Sequence, residues 1–193
     1  MKLTSILLHS LTILALCLPS RTEAQYIEVR KTEFRSVYDL ATLCPHQVTY
    51  TLTAADIGRS QREPSWPFVN DLSADRAVAR TSDYVHSGYD RGHLCPAADR
   101  SRSISAKRST FVMSNIAPQA PTVNRGSWKQ TETYLRRLAS QYDSIHILVM
   151  PIFLPRDTLH IGRHHLAVPH AFLKAAWVPP RDSVIATWFI FNH

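Results

Sequence analysis

Two polar blocks constrain this chain more than its composition does, because any fold it adopts must bring them to one place. The first, Gly88-Tyr89-Asp90-Arg91-Gly92-His93-Leu94-Cys95-Pro96, puts an acid, a cation and an imidazole within four residues, 90–93. Arg91 can make forked hydrogen bonds to phosphate. His93 carries the side chain suited to proton removal near neutral pH. Gly92 leaves room for close approach by backbone or ligand. The second block runs through Met113-Ser114-Asn115-Ile116-Ala117-Pro118-Gln119 and Asn124-Arg125-Gly126-Ser127-Trp128 to Glu132. A four-residue string alone arises by chance, whereas the ordered pair is specific.

Together the blocks resemble the DNA/RNA non-specific endonuclease family, the sugar-non-specific nucleases with a ββα-metal active site. The likeness runs from about Ser36 to Asn192. It implies a mixed α+β domain with a central antiparallel sheet and a Mg²⁺ site, with Mn²⁺ as an alternative metal. It places the general base at His93 and the metal ligand at Asn124, since an amide oxygen suits an ion that keeps most of its waters. Glu132 would hold metal-bound waters, with a solvated helix face as its other reading. Arg91 and Arg62 would contact the substrate phosphate, or else pair with acids such as Asp90 and Glu63. Asn115 would orient the site through the backbone, and Asp90 would hold the turn. The implied partners are DNA and RNA, cut without strong sequence preference to leave 5′-phosphates.

Some features depart from the family pattern. Val149-Met150-Pro151 stands where Thr-Gly-Pro is common, whereas Val168-Pro169 and Phe172-Leu173-Lys174 keep it. The chain stops at Asn192-His193, where the family usually continues, so a short or truncated member is expected.

The 193 residues favour one domain. A composition 45% hydrophobic and 19% charged is that of a globular chain. Lys2, the apolar run Ile6 to Leu18 and the polar Ser20-Arg21-Thr22-Glu23-Ala24 read as a signal peptide, 1–24. The nuclease-like domain is then 25–193, the location secreted or periplasmic, and no stable membrane association is expected after cleavage. Lipidation at Cys17 is disfavoured by Leu16, and the run is short for a membrane span. Residues 25–193 carry a net charge of +6, which suits a polyanion. Export leaves Cys44 and Cys95, either as one disulfide, worth about 3–4 kcal/mol in the chain-entropy model, or as two buried thiols. Sequence does not give the oligomeric state.

Alternation predicts a strand at Val48–Leu52 and a strand or turn over Tyr84–Leu94. A short strand is expected at Phe111–Met113 and a loop over Asn115–Asn124. The best helix spans Ser127–Tyr142. Strands follow at Ile145–Met150, Ala171–Val178 and Val184–Phe191, while Gln61–Ala79 is irregular. Arg80, Arg100, Arg102, Lys107, Arg108 and Arg125 are candidates for a nucleic-acid track. Trp66 and Trp128 suit core packing better than base stacking. His160, His164, His165 and His170 read as a surface loop rather than a zinc site, because Gly162 opposes a helix there. The competing functions are a catalytically inactive nucleic-acid-binding module, a metal-dependent phosphodiesterase on small substrates, and an effector nuclease.

Overall fold

The computed structural model describes residues 26–58, 66–72, 78–154, 158–179 and 183–193. The expected signal segment 1–24 and Arg62 lie outside the described residues. In chain order the elements are β1 (Tyr26–Arg30), β2 (Arg35–Asp39), β3 (Cys44–Thr53), β4 (Asp90–His93), α1 (Ile104–Arg108), β5 (Ile116–Gln119), α2 (Lys129–Tyr142), β6 (Ser144–Ile152), β7 (His160–Ile161), β8 (Leu166–Ala167), β9 (Ala171–Val178) and β10 (Ser183–Phe191). Short 3₁₀ turns punctuate the long stretch between β3 and α2.

Period-two burial builds the main sheet. In β3, Val48, Tyr50 and Leu52 point into the core, and in β6 Ile145, Ile147 and Val149 do the same. In β9 the inward positions are Phe172, Lys174 and Ala176. The sheet has six antiparallel strands in the order β1-β2-β3-β6-β9-β10. Leu135 and Ala139 of α2, with Trp128 just before it, join Ile145, Ile147 and Phe172 in one core. No described helix is long and apolar enough to cross a membrane.

Between neighbouring strands β3 and β6 the chain leaves the sheet and makes a separate antiparallel ribbon, β4 with β5, paired Gly92↔Ala117 and His93↔Ile116. α2 follows, so the excursion is a ββα unit. The Gln119 side chain lies over Gly92: a Cβ there would stand 2.2 Å from it and push it aside.

Three local expectations change. Ile116–Gln119, inside the expected loop, is a strand; a two-stranded ribbon is all edge, where a proline such as Pro118 is admitted. Phe111–Met113 makes only a single bridge, Val69↔Val112, and Met113–Asn115 is a 3₁₀ turn. Within Tyr84–Leu94 the strand is confined to Asp90–His93, after a 3₁₀ turn over Thr81–Tyr84.

Candidate active site

His93 ends β4, and its backbone is pinned on both sides. The Trp128 indole N–H donates to the His93 carbonyl at 3.2 Å. Beyond it, Leu94 N–H donates to the Asn115 carbonyl at 3.0 Å. The Asn115 side chain then takes both backbone groups of Cys95: Oδ1 accepts from its N–H at 2.8 Å, and Nδ2 donates to its carbonyl at 2.9 Å. Nδ2 also reaches the Thr110 carbonyl at 3.0 Å. Asn115 thus ties the backbone of Cys95 to that of Thr110 from a fully buried position. The His93 ring lies against Phe111, edge-on at 4.7 Å between centroids, and Phe68 at 5.3 Å. Its Nε2 is buried with no hydrogen-bond partner among the described residues. Burial pushes the imidazole pKa down to about 4. At neutral pH it is uncharged, the state a proton acceptor needs.

Asn124 lies in a wide π-type turn, Val123–Trp128, that leads into α2. Gly126 breaks the helix there with φ −106° and ψ −107°. Such turns inside helices often mark functional sites. Asn124 Nδ2 donates to Asp90 Oδ2 at 2.9 Å. Asp90 also receives Arg125 Nε at 2.9 Å and Arg125 NH2 at 2.8 Å. Burial works against ionisation of Asp90, but the hydrogen bonds from Arg125 and Asn124 outweigh it and hold its pKa low. Since the carboxylate takes the amide NH₂, Asn124 presents its oxygen as the unspent donor atom. Asp90 thus reaches across to Asn124 and Arg125, and its ion partner is Arg125 rather than Arg91.

Glu132 is in the first turn of α2 and half-buried. Beside it sits Lys174, fully buried, with Nζ 3.6 Å from the centre of the Trp128 ring. Buried Asp99 completes the group, accepting from Tyr50 Oη at 3.0 Å and Arg136 NH1 at 2.8 Å. Burial drives the Glu132 pKa up and the Lys174 pKa down, while each opposite charge pulls the other back. A solvated helix face is therefore not what Glu132 occupies. Sequence reasoning missed Lys174, Asp99, Arg136 and Tyr50. Lys174 left one readable signal: a lysine at the inward position between Phe172 and Ala176.

Arg91 is exposed and makes no salt bridge to a carboxylate among the described residues; its guanidinium lies 5.2 Å from the Phe68 ring centre and 6.0 Å from that of Tyr84. The expected basic track is thinner than the sequence suggested. Arg100 is buried on the Glu33 and Thr51 carbonyls, with Glu33 and Asp56 as ion partners. Arg102 pairs with the same two acids, and Arg125 with Asp90. Trp128 packs in the core, as expected, and Trp66 stands edge-on to Phe111.

The Cys44–Cys95 disulfide is not formed. Both cysteines are free and buried. Cys44 Sγ points to the Ala167 carbonyl at 3.6 Å, while Cys95 feels the charges of Arg100 and Asp99. Burial pushes both thiols well up, so neither is a ready thiolate. The histidine segment is a two-stranded hairpin, β7 with β8, and His164 Nδ1 bonds buried Asp83 at 2.8 Å. Among the described residues no three or more His, Cys, Asp or Glu side chains converge as metal ligands.

An antiparallel ribbon ending in a histidine, followed by a helix whose entry turn offers an asparagine oxygen, is the architecture of a ββα-metal site. The chain belongs to the DNA/RNA non-specific endonuclease family, which it matches over residues 19–193. It is 40% identical over 105 residues to human mitochondrial Endonuclease G, covering 50% of this chain and 35% of that protein. It is 32% identical over 130 residues to a nuclease of Nostoc sp., covering 67% of this chain and 47% of that one. The chain thus spans less than half the length of either relative. In a solved structure of an EndoG/EndoGI complex, a similar chain superposes with a TM-score of 0.78 at 25% identity, covering 86% of this chain and 74% of that one.

Proposed function

We propose that this chain is a divalent-metal-dependent endonuclease that hydrolyses phosphodiester bonds of DNA and RNA with little base preference. The observation that carries this reading is the pairing of a neutral, unpartnered His93 with an Asn124 whose amide is turned by Asp90 so that its oxygen is unspent.

The residues fit a hard divalent cation. Asn124 offers a neutral oxygen, and Glu132 lies one turn beyond Trp128 to hold water around the ion. With so few protein donors, Mg²⁺ is the metal that suits, or Mn²⁺ in its place. When bound, the metal would neutralise phosphate charge and stabilise the departing oxygen. His93 takes a proton from a water. The water oxygen bonds to phosphorus, the bond to the 3′ oxygen breaks, that oxygen takes a proton from solvent to become a 3′-hydroxyl, and a 5′-phosphate remains. Arg91 holds the non-bridging oxygens as charge gathers on them. Phosphate contacts of this kind give grip without sequence readout.

Export is part of the same reading. It rests on the composition of residues 1–24, and the family match begins only after the apolar run. N-terminal sequencing of protein recovered from the secreted fraction tests it; a mature chain retaining residues 1–24 would overturn it.

The deciding experiment incubates the protein and its His93→Ala variant with supercoiled plasmid and with RNA, in Mg²⁺ and in EDTA. Metal-dependent cutting of both polymers, lost in the variant, is expected. Folded protein that shifts plasmid on a gel yet never nicks it would make this a binding module. Cleavage of bis(p-nitrophenyl) phosphate with both polymers left intact would point to small substrates.

A further inference from the structure

We propose that Lys174 is a positioning residue of the active site: its buried ammonium, seated on the Trp128 ring, supplies the counter-charge for Glu132. The inference deepens the nuclease reading, on which its catalytic readout rests.

The position is costly for a lysine. Lys174 lies mid-strand in β9, between register partners Val149 and Trp188, and is fully buried. Its Nζ has no hydrogen-bond partner among the described residues. An unpaired buried charge is heavily penalised, and a methionine would fill the same space without that penalty. Something next to it must need the charge.

The neighbours show what. The ammonium faces the Trp128 ring at 3.6 Å, close enough for a strong cation–π contact. That indole N–H donates to the His93 carbonyl and also supports the ionised form of Glu132. Trp128 and Glu132 are four residues apart at the start of α2, so they share a helix face. The cluster holds two carboxylates, Glu132 and Asp99, and two cations, Lys174 and Arg136. Arg136 is committed to Asp99 and Thr133, and Tyr50 also donates to Asp99. Lys174 is thus the larger counter-charge for Glu132, with Arg136 a lesser one. The remaining titratable neighbour is Cys95, which burial keeps protonated. One lysine from the main sheet thus touches the indole that binds His93 and faces the acid assigned to the metal's waters.

The test is a double-mutant cycle of wild type, Lys174→Met, Glu132→Gln and the double variant. Each is assayed for plasmid nicking in Mg²⁺ across pH and for unfolding in urea. Lys174→Met is expected to cut about 10- to 100-fold more slowly, the usual loss for residues supporting a metal site. Its acid limb should move to higher pH, because Glu132 then protonates earlier; a packing defect would leave that limb in place. The double variant should cut no more slowly than Glu132→Gln alone. Multiplying losses, or an unmoved acid limb, would overturn the proposal. If Lys174→Met is too unstable to assay, the urea midpoints decide: the double variant above Lys174→Met supports the pairing, and equal or lower refutes it. A wild type that never cuts would sink the nuclease reading, while the midpoints would still decide the pairing.

Discussion

At the scale of single residues, the buried position of His93 makes stability depend on pH. Above pH 6.5 the imidazole is neutral whether the chain is folded or not. As pH falls from there toward about 4, the unfolded chain takes up a proton that folded His93 refuses, so stability is lost over that window. The total is on the order of 3 kcal/mol. Urea unfolding at pH 7 and near pH 4.5 should show this slope, and a His93→Leu variant should flatten it. Asn124 makes a different demand. Asn124→Ala should leave the fold intact and raise the Mg²⁺ concentration needed for nicking by at least about tenfold, read from a metal titration of the rate.

At the scale of elements, the ribbon and its supports decide where His93 points. Asn115→Ala would leave the Cys95 N–H, the Cys95 carbonyl and the Thr110 carbonyl without side-chain partners in a buried place. A loss of about 2–4 kcal/mol is expected, seen as a lower urea midpoint together with slower cutting. Much of this architecture was legible beforehand. Alternation announced β3, β6, β9 and β10, the spacing announced α2, and the two polar blocks named the residues that the ribbon and the turn before α2 carry; β1, β2, β7 and β8 were not read. β5 was not legible, because Pro118 and Pro121 argue for a loop to any local rule; its pairing is a tertiary event settled by Gly92 and Gln119 meeting across the ribbon. The disulfide expectation failed for a similar reason: sequence counts cysteines, while the fold seats Cys44 against Ala167 and Cys95 beside the Asn115 amide. Lys174 was read as part of a pattern but given no role, because motif reading looks for polar residues near each other in sequence, and its partners come from α2 and the segment after β4.

At the scale of the molecule, the charge of +7 overstates what a phosphate backbone meets. Arg100, Arg102 and Arg125 already face carboxylates. Arg102→Ala should therefore leave the salt dependence of KM for DNA unchanged. Arg91→Ala should reduce the slope of log KM against log salt by about one contact; equal slopes for the two variants would contradict the assignment. Among the described residues, the ribbon is hydrogen-bonded into no other sheet. Besides the bonds from Asn115 and Trp128, it is tied down by Asn192, whose side chain takes the Ala120 N–H at 2.8 Å, the Pro118 carbonyl at 3.0 Å and the Pro169 carbonyl at 2.9 Å. Ile116 and Ala117 share the main core, but a ribbon of two short strands carries far fewer backbone hydrogen bonds than the six-stranded sheet and can open while that sheet stays closed. Amide protons of Gly92 and Ala117 should then exchange with solvent ahead of those of Ile147 and Val149. On warming, the proposed cutting would be lost before the main sheet melts.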